Sequence, residues 1–140
     1  MFKKLLVAYD GSEGAQKALA AGLRLARLHQ AELWAVTVQE RLPRYGGTID
    51  EIDEEKKYLD ERFAKIAAEV QAKAQEAGLN IQLLRPFGHP AQTIVEVAKE
   101  GNYDLIIVGH SGLSGVWAAF LGTTAEKISR HAPCSVLIVR

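Results

Sequence analysis

The chain has 140 residues, 48% of them hydrophobic and 24% charged, and its 17 basic side chains balance 17 acidic ones. This length suits one ordinary hydrophobic core, and a mean hydropathy of −0.04 leaves no room for a membrane-spanning stretch. With zero net charge and no long like-charge block there is no field to gather nucleic acid or an anionic membrane, so neither is an expected partner.

The opening, MFKKLLVAYDGS, places an apolar run after two lysines, as a secretion signal does, but Asp10 interrupts it too soon. The run Leu5 to Tyr9 reads instead as a first buried strand, and Leu33 to Val38, Ile81 to Leu84, Leu105 to Val108 and Val136 to Val139 read as four more. Between the first two, Ala15, Ala18, Leu19, Gly22, Leu23 and Ala26 recur at helical spacing. The segment from Glu40 to Glu51 reads as a surface loop, with two readings: idle, or a lid over a ligand hinged on Gly46 and Gly47. A longer helix follows with Leu59, Phe63, Ile66, Ala67, Val70, Ala74 and Ala77 on one stripe, and Gly78 stands where a left-handed cap belongs. Pro90 opens a third helix that Gly101 stops, and a fourth runs from near Thr123 to before Pro133.

Strands alternating with helices call for parallel pairing through right-handed crossovers, which predicts a doubly wound α/β fold with helices on both faces of the sheet. The single Cys134 has no disulfide partner and adjoins an apolar run, which predicts a buried, unreactive thiol in a reducing, cytoplasmic setting.

In such sheets ligands sit beyond the carboxyl ends of the strands, so the chemistry should lie in YDGSEG after the first strand and VGHSGLSGVWAAFLGTT after the fourth. In the second, Gly109, Gly112 and Gly122 precede Thr123 and Thr124 at the mouth of a helix. Glycines admit close backbone approach to phosphate oxygens, and a helix start offers unpaired N–H groups. The same residues have a purely structural reading: turns at the glycines, and a capping box from Thr123 to Glu126. No Gly-Lys-Ser or Gly-Lys-Thr occurs, so this is not a P-loop. No HExxH or CxxC spacing marks a metal site, and His29, His89, His110 and His131 are far apart in sequence.

The run Gly109, two residues, Gly112, nine residues, Gly122, Thr123 resembles the ATP-binding signature of the universal stress protein family. VAYDGSEGAQKAL resembles that family's opening and TAEKISRHAPCSVLIVR its ending, so the likeness covers nearly the whole chain as one domain, residues 1–140. The resemblance implies the strand order 3-2-1-4-5 with the nucleotide between the first and fourth strands. It implies Asp10 facing the adenosine, Ala8 and Val38 near the adenine, and the phosphates on Gly109, Gly112, Gly122, Thr123 and Thr124. His110 joins this set with a departure, because family members commonly carry Ser and then Arg or His between the first two glycines, whereas here His110 precedes Ser111. Each assignment has a structural counterpart: Asp10 beside Ser12 as a helix cap, Val38 as plain core. The segment from Gln39 to Glu55 lies outside the likeness.

With no lysine in the loop, the phosphate charge calls for a divalent cation, Mg²⁺ or Mn²⁺, held mainly by the phosphates and water. The last strand, SVLIVR, would be a bare apolar sheet edge in a monomer; together with the resemblance this predicts a homodimer closed by pairing of two such strands. The expected function is that of an ATP-binding stress-response regulator whose protein partner the sequence leaves open. The alternatives are a slow ATPase or self-phosphorylating enzyme, for which no base aimed at the γ-phosphate is identified, and a dimeric interaction module indifferent to nucleotide.

Overall fold

The computed structural model describes residues 1–40, 47–111 and 121–140. The described elements run β1 (Lys4–Ala8), α1 (Glu13–His29), β2 (Glu32–Val36), α2 (Ile49–Glu76), β3 (Gln82–Leu84), α3 (Pro90–Glu100), β4 (Leu105–Gly109), α4 (Thr123–His131) and β5 (Ser135–Val139). The strands form one sheet in the order β3-β2-β1-β4-β5, and every pairing is parallel. This is the doubly wound α/β architecture that the alternation of strands and helices predicts, in the strand order that the resemblance implies.

Because side chains alternate across a strand, neighbouring residues of β1 feed opposite cores. Leu5 and Val7 pack with Leu19 and Leu23 of α1 and with Ile66 and Val70 of α2. Leu6 points the other way and joins Val36 and Ile106, Ile94 and Ala98 of α3, and Ile128 of α4. Leu5, Leu6, Val7, Ile106 and Ile107 are all fully buried, as a parallel strand covered on both faces requires. β5, at the sheet edge, alternates between exposed and half-buried positions instead.

The helix boundaries follow local chemistry. The predicted stripe of α1 is the set that is buried: Ala15, Ala18, Leu19, Gly22, Leu23 and Ala26. In α2 the helix begins earlier than expected, at Ile49, so the end of the segment read as a loop up to Glu51 is helical; residues 41–46, including Gly46, lie outside the described residues. A capping box starts it: Thr48 Oγ1 accepts from the Glu51 N–H at 3.2 Å, and Glu51 Oε2 accepts from the Thr48 N–H at 3.3 Å. Gly78 takes the left-handed conformation expected of it, at φ +70°. Gly101 caps α3 with an ordinary φ of −88°, and the left-handed residue is Asn102, at φ 55°. Among the described residues, no helix is long and apolar enough to cross a membrane.

Candidate functional site

From β1 the chain runs through α1 to β2 and on to β3, and then α3 carries it back past β1 to β4. The winding direction therefore reverses between β1 and β4, and beyond the carboxyl ends of these two strands a crevice must open. A cleft of about 460 Å³ lies there, within the range of small-molecule sites.

Its lining changes character from one side to the other. Val36 and Val38, at and beyond the end of β2, and Ala8, the last residue of β1, supply apolar surface, and Ile94 of α3 and Val108 of β4 add to it. The β2 end is held firmly. The Tyr9 N–H donates to the Val36 carbonyl at 2.9 Å, the buried Thr37 hydroxyl donates to the Tyr9 carbonyl at 2.7 Å, and the Gln39 N–H donates to the Pro86 carbonyl at 2.8 Å. Arg85 Nε donates to Gln39 Oε1 at 2.8 Å, its guanidinium pairs with Asp60 at 2.8 Å, and it lies 4.6 Å from the centre of the Phe63 ring.

At the turn after β1, Asp10 Oδ1 accepts from the Ser12 N–H at 2.9 Å and Ser12 Oγ accepts from the Ala15 N–H at 3.2 Å. Ser12 is thus the N-cap of α1, and Asp10, which lines the cleft and is exposed, also shapes the turn that places it. Next to it, the Tyr9 hydroxyl donates to Glu69 Oε2 at 3.2 Å. Burial, reinforced by the Glu69 charge, pushes the Tyr9 phenol up to about 12.

The opposite wall is made where β4 meets α1 and α4. Gly109 and Gly14 touch backbone to backbone: a Cβ at 109 would lie 2.6 Å from the Gly14 carbonyl group, and a Cβ at 14 would lie 2.5 Å from the Ser111 oxygen. Glycine at 109 is therefore required by close packing, whatever the cleft holds. His110 is clamped next to it, its N–H donating to the Val139 carbonyl at 2.7 Å and its carbonyl accepting from the Gly122 N–H at 2.8 Å. Gly122 is the N-cap of α4, and among the described residues no side-chain cap bond is found at that helix start. The capping box read from Thr123 to Glu126 does not form, because Thr123 already stands inside the helix.

Ala8, Asp10, Val38, Gly109, His110, Gly122, Thr123 and Thr124 are thus brought together around one cleft, while Gly112 lies outside the described residues. Ser12, Gly14, Val36, Ile94 and Val108 line it as well and were not singled out from sequence. Val36 ends β2 and Val108 stands one residue before the end of β4, and that position is the signal that marks them. Among the described residues no Lys or Arg lines the cleft, and no group of three or more His, Cys, Asp or Glu could hold a metal ion. Cys134 is half-buried rather than buried, packed at the edge of the α3/α4 core. Burial and then the Asp104 charge push its thiol up, against a backbone hydrogen bond at Ile106, so it stays protonated and unreactive near neutrality.

The sequence model of the universal stress protein family matches residues 1–140, the whole chain. A universal stress protein of Thermus aquaticus is 39% identical over 140 residues, covering all of both chains. Among solved structures, a universal stress protein from Lactobacillus plantarum superposes with a TM-score of 0.85 at 28% identity, covering 99% of this chain and 98% of that one. Another, a universal stress protein solved in complex with cAMP, superposes with a TM-score of 0.75 at 26% identity, covering 99% and 97%.

Proposed function

The chain belongs to the universal stress protein family, and we propose that it is a nucleotide-binding stress-response regulator that holds ATP across the β1/β4 crevice. The observation that carries this reading is the two-sided cleft, apolar beside β2 and ending, on the far side, at a helix start that no side chain among the described residues caps. A related protein of the same fold is solved with cAMP, which supports an adenine nucleotide as the class of ligand.

In this reading the adenine lies against Ala8 and Val38, and Asp10 faces the adenosine. The phosphates lie toward Gly122, Thr123 and Thr124, where first-turn N–H groups and the helix dipole favour negative charge. Gly109 serves by letting α1 and β4 close on each other, and His110 and Gly112 complete the phosphate end. The donor set suits a cation that arrives with the phosphates: among the described residues Asp10 is the one carboxylate lining the cleft, too few ligands for a protein cage. Mg²⁺ or Mn²⁺ would there neutralise phosphate charge.

The regulator acts as a homodimer in this reading, paired through β5, the edge strand on which Leu137 is 36% exposed. Its setting is the cytoplasm, where the lone Cys134 thiol stays reduced.

Titration calorimetry with ATP and Mg²⁺ tests the binding. Saturable heat at micromolar ATP, lost in Gly122→Val, is expected; no heat up to millimolar ATP, from protein free of carried-over nucleotide, would leave the nucleotide-independent dimer as the better account. A sedimentation mass near the monomer's 15.3 kDa at micromolar concentration would remove the dimer.

A further inference from the structure

A nucleoside polyphosphate carries several negative charges, yet among the described residues no Lys or Arg lines the cleft. A helix start supplies only partial charge, on the order of half an elementary charge. Among the described residues His110 is the basic side chain of the lining, and Arg140 Nη2 stands 3.4 Å from its Nε2. When the guanidinium donates to Nε2, the proton of a neutral imidazole sits on Nδ1.

The fold sets the backbones of this pair side by side. Gly109 is in register with Val139 across the β4/β5 ladder, and the His110 N–H donates to the Val139 carbonyl at 2.7 Å. Arg140 follows directly on the residue that holds the His110 backbone. The His110 carbonyl in turn accepts from the Gly122 N–H at 2.8 Å, so the start of α4, His110 and the end of β5 form one hydrogen-bonded chain. A permanent cation is thereby set one side chain behind the phosphate end of the cleft.

We propose that Arg140, acting with His110, is the residue by which this cleft distinguishes nucleotides by phosphate charge, favouring the triphosphate over the monophosphate. The inference rests on the nucleotide-binding reading above. It gives the inverted order of His110 and Ser111 a role: the large side chain, placed first in the loop, meets the residue after β5. Arg140 is exposed, so its effect is that of a partly solvated charge and grows with each phosphate.

The test is calorimetric titration of wild type, Arg140→Gln and Arg140→Lys with ATP, ADP, AMP and adenosine, at low and physiological salt. Arg140→Gln is expected to weaken ATP about fivefold, the scale of an exposed charge pair. AMP should weaken less and adenosine not at all, so that the ATP-to-AMP preference shrinks while Arg140→Lys keeps part of it. The salt dependence of ATP binding should become shallower in Arg140→Gln. An unchanged ATP-to-AMP ratio in a variant that still binds ATP overturns the role of Arg140 and leaves nucleotide binding standing. Failure of wild type to bind any of the four compounds overturns both.

Discussion

Two helices begin at the same cleft, and they begin differently. The start of α1 is closed by its own turn: Ser12 caps it and Asp10 braces Ser12. The start of α4 has glycine at the N-cap and, among the described residues, no side-chain cap. Four N–H groups at every helix start need partners: at α1 the Asp10 and Ser12 side chains take two of them, at α4 the His110 carbonyl takes that of Gly122, and donors left to outside groups make a place for an anion. The difference explains why the glycines of one loop have unlike duties. Gly109 makes room for Gly14, whereas a Cβ at Gly122 would lie 3.3 Å from the His110 carbonyl oxygen, a tight but tolerable approach.

Substitution separates the two duties. Gly109→Ala drives a methyl into the Gly14 backbone and should cost about 3 kcal/mol of stability, the upper range for overpacking, whereas Gly122→Ala should cost under about 1 kcal/mol. Urea denaturation of both variants measures this, and equal losses would erase the distinction. Gly122→Asp supplies a side-chain cap for α4 and sets a carboxylate where the proposed reading puts the phosphates. The variant should stay folded and lose at least about tenfold in ATP affinity, the worth of roughly 1.4 kcal/mol. Unchanged affinity would show that the phosphates lie elsewhere. On the closed side, Ser12→Ala should cost about 1 kcal/mol of stability and leave the ATP-to-AMP ratio alone.

How much of this is legible in sequence depends on whether a feature is local. Strands with buried β-branched runs and the periodic stripe of α1 announce themselves, and the glycine spacing leads to the end of the sheet where the cleft opens. The beginning of α2 does not announce itself by periodicity, because its first turns are solvated: Ile49 is 78% exposed and Tyr58 60%. The readable signal there is Thr48 followed by Glu51, the same motif that Thr123 and Glu126 offer without forming it. One box forms and the other does not because Gly122, one residue earlier, is already bound to the His110 carbonyl and takes the N-cap position. The contact of Gly14 with Gly109 joins residues far apart in sequence, and so does that of His110 with Arg140. Only the sheet order brings them together, and no local pattern encodes them.

The smallest effect at neutral pH concerns Tyr9, which precedes the closed turn. Its folded pKa, near 12, stands above the unfolded value of about 10, so the native state holds the phenol proton longer than the unfolded chain does. Stability should be unaffected below pH 10 and fall as pH rises from there toward 12. Tyr103, pushed up to about 12 by burial and by the Glu32 charge, adds to the same loss. Tyr9→Phe should flatten part of this alkaline decline in a thermal-melt series, and an unchanged slope would show that the phenol does not contribute.

The central claim is that the open helix start, not the closed one, receives the phosphates of a bound nucleotide. Amide chemical shifts recorded with saturating ATP and with saturating AMP test it most directly, because the two ligands differ only in phosphate number. The ATP-minus-AMP differences should concentrate on Gly122, Thr123 and Thr124 and be small at Glu13, Gly14 and Ala15. Differences concentrated at the start of α1, or no saturable shift at any amide lining the cleft, would contradict the account.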